Sequence, residues 1–219
     1  MSIFAIYKPS QLSSYQVIKI LKQKFNYKKI GHGGTLDPLA EGVLVIATDK
    51  DTKKLSQFLH NSEKEYEAII KFGEVSSTDD AEGNISKSIS ANFTKPTLQQ
   101  IKNISKQFIG NIYQVPPLYS AIKYKGVPLY KLAKQNKKIS LKPRLVFIKS
   151  IKILKYQWPF LKIKVVCGSG VYIRSLARDF GEKLCCGAYL YFLKRLRVKE
   201  FSINDAFKIN DIINGKIKI

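Results

Sequence analysis

The stretch Gly31-His32-Gly33-Gly34-Thr35-Leu36-Asp37-Pro38-Leu39-Ala40-Glu41-Gly42 runs directly into the apolar segment Val43-Leu44-Val45-Ile46-Ala47. Closely spaced glycines permit backbone angles forbidden to other residues and let a second backbone approach. No Gly-Lys-Ser/Thr follows, so this is not a P-loop, and the spacing is not that of a dinucleotide fingerprint. Pro38 restricts the local backbone to extended or turn geometry, which presents Asp37 on a stiff loop with its carboxylate available. The competing reading of Asp37 is an Asx-turn that only caps its own loop. Val43 to Ala47 reads as a buried strand.

Working outward, Ile3 to Tyr7 reads as a strand entering a turn at Lys8-Pro9. Ser13 or Ser14 then stands at the N-cap of a helix carrying Val17, Ile18, Leu21 and Phe25 at helical spacing. A short helix is expected over Lys53 to His60, a strand over Tyr66 to Phe72, and polar turns over residues 73–93. Thr97 opens a helix with Leu98, Ile101, Ile104 and Phe108 on one face, stopped by Gly110. Pro116-Pro117 keeps Tyr113 to Tyr124 extended or looped. Further helices are expected over Pro128 to Gln135, Arg174 to Leu184 and Ile203 to Ile213. Strands are expected over Leu145 to Leu154 and Leu161 to Val166, and a basic connector over 134–142. This mixture lacks regular strand–helix alternation, so the expected class is α+β. Without repeats or a low-complexity linker, residues 1–219 read as a single domain.

Lys and Arg number 38 against 16 acids, a formal charge of +22. A field of this sign attracts polyanions, because each neutralised phosphate releases condensed counterions. Nucleic acid is the expected partner, ahead of acidic lipid or a small anion. No apolar run approaches the ~20 residues of a membrane helix. The first residues lack the charged leader of a signal peptide, and three cysteines with two adjacent suit neither a disulfide framework nor a metal knuckle. A cytoplasmic protein that holds no metal is expected.

Two other segments carry candidate chemistry. In Gly168-Ser169-Gly170-Val171-Tyr172-Ile173-Arg174 a strand enters a turn, and an aromatic and an arginine begin a helix. A guanidinium placed there can face a phosphate, or a carboxylate that it keeps ionised; the plain alternative is a solvated Arg174. In Lys64-Glu65-Tyr66, Tyr66 is either a base-stacking ring or a half-buried strand aromatic.

Together these segments resemble the TruB family of pseudouridine synthases. Gly31 to Leu44 is similar to the family signature GHTGTLDPLATGVL, and Lys64-Glu65-Tyr66 to its KxY strand. Ser76-Ser77-Thr78-Asp79-Asp80-Ala81-Glu82-Gly83 looks like the polar loop that follows. Gln114-Val115-Pro116-Pro117-Leu118-Tyr119-Ser120-Ala121 looks like the QxPPxYSA block. Cys167 to Leu176 and Gly187 to Arg197 complete a resemblance spanning residues 3 to 215. It implies a mixed, mainly antiparallel sheet flanked by helices and loops, with no counterpart of the family's C-terminal RNA-binding domain. It further implies isomerisation of a uridine in the tRNA T-loop, position 55, by a monomer needing neither cofactor nor metal. Asp37 would be the essential carboxylate, acting by attack on the sugar, attack on the base or removal of a sugar proton. Arg174 would pair with Asp37, Tyr66 would pack against the target base, Tyr172 and Leu193 would line the pocket, and His32 would fill space vacated in the RNA stack.

Gly33 and Glu41 stand where the family usually has Thr, and Ser77 where it has Asp. A nearby Glu41 would raise the Asp37 pKa, and Arg174 would oppose it. The rival readings are a synthase acting on another RNA, and a chaperone that folds tRNA without chemistry.

Overall fold

In the computed structural model, which describes residues 3–91, 93–133, 135 and 139–216, the chain begins with β1 (Ile3–Lys8), α1 (Ser14–Phe25), β2 (Ile30–Gly33), β3 (Glu41–Thr48) and α2 (Leu55–Phe58). Next come β4 (Lys64–Phe72), β5 (Glu74–Ser76), β6 (Ile85–Lys87), α3 (Leu98–Gln107), β7 (Gly110–Gln114), β8 (Lys123–Tyr124), β9 (Val127–Pro128) and α4 (Leu129–Ala133). The last third holds β10 (Arg144–Gln157), β11 (Phe160–Cys167), α5 (Ile173–Lys183), β12 (Ala188–Val198), β13 (Phe201–Ser202), β14 (Phe207–Lys208) and α6 (Ile209–Ile213). The fold is α+β with a mixed sheet. Two compact units are present: the first contains residues up to Glu67, Val166–Ser169 and those from Leu193 onward, the second Ala68–Val165 and Gly170–Phe192.

In the first unit Ser13 caps α1 by a capping box. Its side chain accepts from the Gln16 N–H, and Gln16 accepts in return from the Ser13 N–H; two otherwise orphaned donors are thereby satisfied. Strand β3 is the spine of this unit. β1 lies antiparallel along it, with Ile3 opposite Ala47 and Lys8 opposite Gly42. Along β3's length, β2 pairs antiparallel with residues 45–48, and β12 runs parallel at Glu41 and Gly42. Leu44 and Ile46 pack with Phe4, Ile6, Val17, Leu21 and Ile212, while Val43, Val45 and Ala47 pack with Ala5, Leu55, Leu59 and Val198. Burial on both faces explains the unbroken apolar run of β3.

In the second unit β7 and β10 pair antiparallel, and β5–β6 and β8–β9 form short hairpins. Thr97 caps α3 by a second capping box, and Phe108 meets Phe180 of α5 with ring centroids 4.8 Å apart. α5 packs tightly against the start of β12: a Cβ on Gly181 would lie 2.2 Å from the Ala188 nitrogen.

Three expectations are corrected. Residues 203–208 do not join the last helix, because Asp205 accepts from the Ser202 N–H and hydroxyl and closes a turn there. β12, absent from the sequence reading, is a long strand. Residues 73–93 contain the β5–β6 hairpin rather than turns alone. Much of the basic connector over 134–142 lies outside the described residues.

Candidate active site

Asp37 sits on the loop that leaves β2 at Gly33 and returns as β3 at Glu41. The loop's backbone is tied at four residues. Buried Ser14 both accepts from the Leu36 N–H and donates to the Leu36 carbonyl, each at 2.9 Å. The Pro38 carbonyl accepts from the Gln11 N–H (2.8 Å) and from Nζ of Lys8 (3.1 Å), an ammonium wholly shielded from solvent that also donates to the carbonyls of Pro9 and Leu12. Ser10 donates to the Leu39 carbonyl (3.0 Å). Arg195, 1% exposed, donates to the carbonyls of Gly34 (2.8 Å) and Val43 (2.7 Å). The Ala40 N–H closes the turn onto the Asp37 carbonyl at 3.1 Å. Asp37 itself is half-buried on this fixed backbone.

Arg195 is also the electrostatic centre of this group. Burial, then the Arg195 charge, holds the His32 imidazole below its ordinary range, and the same two causes lower the Lys64 ammonium. His32 Nδ1 is buried with no hydrogen-bond partner among the described residues. Lys64 donates to the Ser62 carbonyl and to the hydroxyls of Ser62 and Ser169. Tyr66 is buried, and burial pushes its phenol up to about 12; Arg195 opposes that shift and the Asp37 charge adds to it. Burial likewise pushes the Cys167 thiol up to about 12. Leu193 is buried on β12, two residues before Arg195.

The second unit holds Tyr172 and Arg174. The Gln114 side chain clamps the Tyr172 backbone, accepting from its N–H (2.9 Å) and donating to its carbonyl (3.1 Å). Arg174, buried in the first turn of α5, donates to the carbonyls of Thr78 (3.2 Å) and Tyr119 (2.9 Å) and pairs with Asp80 at 3.5 Å. Arg178 pairs with Asp79 (2.9 Å) and donates to the Val115 carbonyl. The polar loop, the residues from Gln114 to Tyr119 and α5 are thus drawn together by two arginines one helical turn apart. Among the described residues no group of three or more His, Cys, Asp or Glu is placed to hold a metal ion, and no helix is long and apolar enough to cross a membrane.

Comparison with known proteins shows the family. The family described as TruB family pseudouridylate synthase (N terminal domain) matches residues 22–173. The tRNA pseudouridine synthase B of Francisella tularensis subsp. tularensis (strain WY96-3418) is 41% identical over 96% of this chain and 69% of its own length. This chain belongs to the TruB family. Its counterpart from Francisella philomiragia, also named tRNA pseudouridine synthase B, is 42% identical over 96% of this chain and 69% of that protein. Among solved structures, a Cbf5-Nop10-Gar1 complex contains a chain matching 97% of this one with a TM-score of 0.73 and 27% identity. An archaeal box H/ACA sRNP Nop10-Cbf5 complex gives 0.71 at 24% identity, a likeness of fold. The present chain spans about half of those two chains, 54% and 53%.

Against this TruB background, the three departures have local explanations. A Cβ on Gly33 would lie 1.8 Å from Leu59 Cδ1, so Leu59 occupies the room a larger residue would need. Glu41 is paired with Lys194 at 3.1 Å and bonded by the Tyr7 hydroxyl, which draws its charge toward those partners. The Ser77 hydroxyl accepts from the Asn84 N–H (3.0 Å) and closes the β5–β6 hairpin. The sequence reading gave none of Lys8, Ser14, Asp80, Gln114 and Arg195 a part in holding these loops.

Proposed function

We propose that this chain converts uridine to pseudouridine at position 55 in the T-loop of tRNA, acting as a cytoplasmic monomer without metal or cofactor. Membership in the TruB family and the names of its relatives support the reaction. The observation that carries the reading is the half-buried Asp37 carboxylate on a loop whose backbone is tied at Gly34, Leu36, Pro38 and Leu39. A binding module needs no positioned acid.

The reaction is an isomerisation. The N1–C1′ bond of the nucleoside breaks, the uracil turns, C5 bonds to C1′, the C5 proton leaves and N1 takes up a proton. Asp37 is the carboxylate that meets the reacting nucleoside, held without reorganisation because its loop is already fixed. Tyr66 packs against the base, and Leu193 of the same unit lines its pocket. Arg174 of the second unit is held in place by Thr78, Tyr119 and Asp80. A neutral His32 ring, kept so by burial and Arg195, suits the place of an extruded base. Extrusion costs a few kcal/mol, offset by stacking and phosphate contacts.

The test is incubation with an unmodified tRNA transcript, an unmodified T-stem-loop and a ribosomal RNA fragment, each mapped for pseudouridine by mass spectrometry. Modification of uridine 55 in the first two is expected. Modification only in the ribosomal fragment would reassign the substrate, and none in any of them would leave the chaperone reading.

A further inference from the structure

Resting on that reading of the chain as a tRNA-modifying enzyme, we propose that the cleft between α1 and the start of β2 is a second seat for the RNA, one that grips its phosphate backbone. This open cleft of about 680 Å³ lies wholly in the first unit. Along α1, Tyr15, Lys19, Lys22 and Gln23 form a stripe at helical spacing, on the side of the helix opposite the buried Val17 and Leu21. Lys28 and Lys29 face them from the entry to β2.

All four ammonium groups belong to exposed residues, and no acidic side chain lines the cleft among the described residues. The Asp49 carboxylate, from the turn after β3, is engaged by the Lys29 backbone N–H (3.3 Å). The cleft therefore presents four cations without an internal counter-charge, the arrangement that phosphates neutralise with release of counterions. Tyr15 is 72% exposed, an aromatic ring left in water at the rim. Such a ring is a platform for an unpaired base or a ribose.

Position supports the same partner. β2 joins the cleft, at Lys29 and Ile30, to the Asp37 loop, which begins at Gly34. The seven residue steps from Ile30 to Asp37 can span at most about 25 Å, the length of a few nucleotides of RNA.

The test compares two quadruple variants of the full chain that lose the same charge. One carries Lys19→Gln, Lys22→Gln, Lys28→Gln and Lys29→Gln; the control carries Lys102→Gln, Lys106→Gln, Lys152→Gln and Lys155→Gln at exposed sites of the second unit. Affinity for an unmodified tRNA transcript is measured by filter binding between 50 and 300 mM salt. The cleft variant is expected to bind at least tenfold more weakly at 100 mM salt. Its log–log salt slope should be shallower by about 3, at ~0.7–0.9 per lost phosphate contact. The control should shift by less than threefold. Equal losses in both variants would mean that a diffuse field holds the RNA, and no loss in the cleft variant would remove the site; either result overturns the proposal. If the wild-type protein makes no pseudouridine but the two variants still differ in affinity, the catalytic reading fails and this one stands.

Discussion

Arg195 and Lys8 are charged side chains shielded from solvent, and both donate to backbone carbonyls. A planar fork reaching Gly34 and Val43 together is a geometry that a lysine cannot copy. Arg195→Met leaves those carbonyls without their donor and is expected to destabilise the protein by about 2–4 kcal/mol in urea titration. Arg195→Lys keeps the charge. It should speed amide hydrogen exchange across residues 34–40 and slow single-turnover pseudouridine formation at least tenfold, with tRNA affinity unchanged. Wild-type exchange and rate in that variant would deny Arg195 its hold on the loop. His32 gives a pH signature. The unfolded chain's imidazole takes a proton near pH 6.5, whereas the folded one resists it because of burial and Arg195. Its contribution is therefore complete above pH 6.5 and is lost as the pH falls through that value toward the lower folded pKa. Urea titrations from pH 7.5 to 5.0 should show stability falling more steeply in wild type than in His32→Gln; parallel curves would contradict this. The loop that carries Asp37 was legible because proline and glycine mark it in the sequence. The residues that hold the loop were not, since a lysine or arginine bound to carbonyls carries no pattern that sets it apart from a solvated one.

At the scale of elements, the helices that begin with a Ser or Thr cap were the easiest to read. Ser13 and Thr97 each have a glutamine three residues on, and both pairs close capping boxes. Ser13→Ala should cost about 1 kcal/mol, measured by thermal or urea unfolding. Gly42 is a sterner case. Its φ is +109°, and a Cβ there would lie 2.1 Å from the Arg195 carbonyl oxygen, where β3 and β12 run parallel. Gly42→Ala should therefore cost roughly 3 kcal/mol. A loss no greater than that of Ser13→Ala would show that the strands separate easily. β12 escaped the sequence reading for a physical reason: Leu193, Arg195 and Val198 are all buried on one strand that also exposes Tyr191, so neither alternation nor a continuous apolar run is present. Ile203 to Ile213 failed in the opposite way. Its apolar residues have helical spacing, but the Ser202–Asp205 turn takes the backbone first.

At the scale of the molecule, a charge of +22 on 219 residues is a repulsive load on the compact state as well as an attraction for RNA. Salt screens that repulsion over about 10 Å at 0.1 M. The melting temperature without RNA should rise by a few degrees between 20 and 300 mM sodium chloride, while tRNA affinity falls over the same range. A melting point that drops with salt would mean that attractive pairs such as Arg178–Asp79 outweigh the net charge. The charge and the α+β class were plain in the sequence. The two-unit organisation was not, because three of its four boundaries fall inside β4, β11 and β12, where no glycine or proline marks a break, and the fourth, Ser169/Gly170, lies in a turn that reads as an ordinary strand-to-helix connection. The central claim concerns one carboxylate, and the most direct measurement is single-turnover conversion of a T-stem-loop by wild type and by Asp37→Asn, with RNA binding followed in parallel. The account predicts pseudouridine from wild type, none from the variant, and comparable binding by both. Conversion by Asp37→Asn at a rate near that of wild type would contradict it.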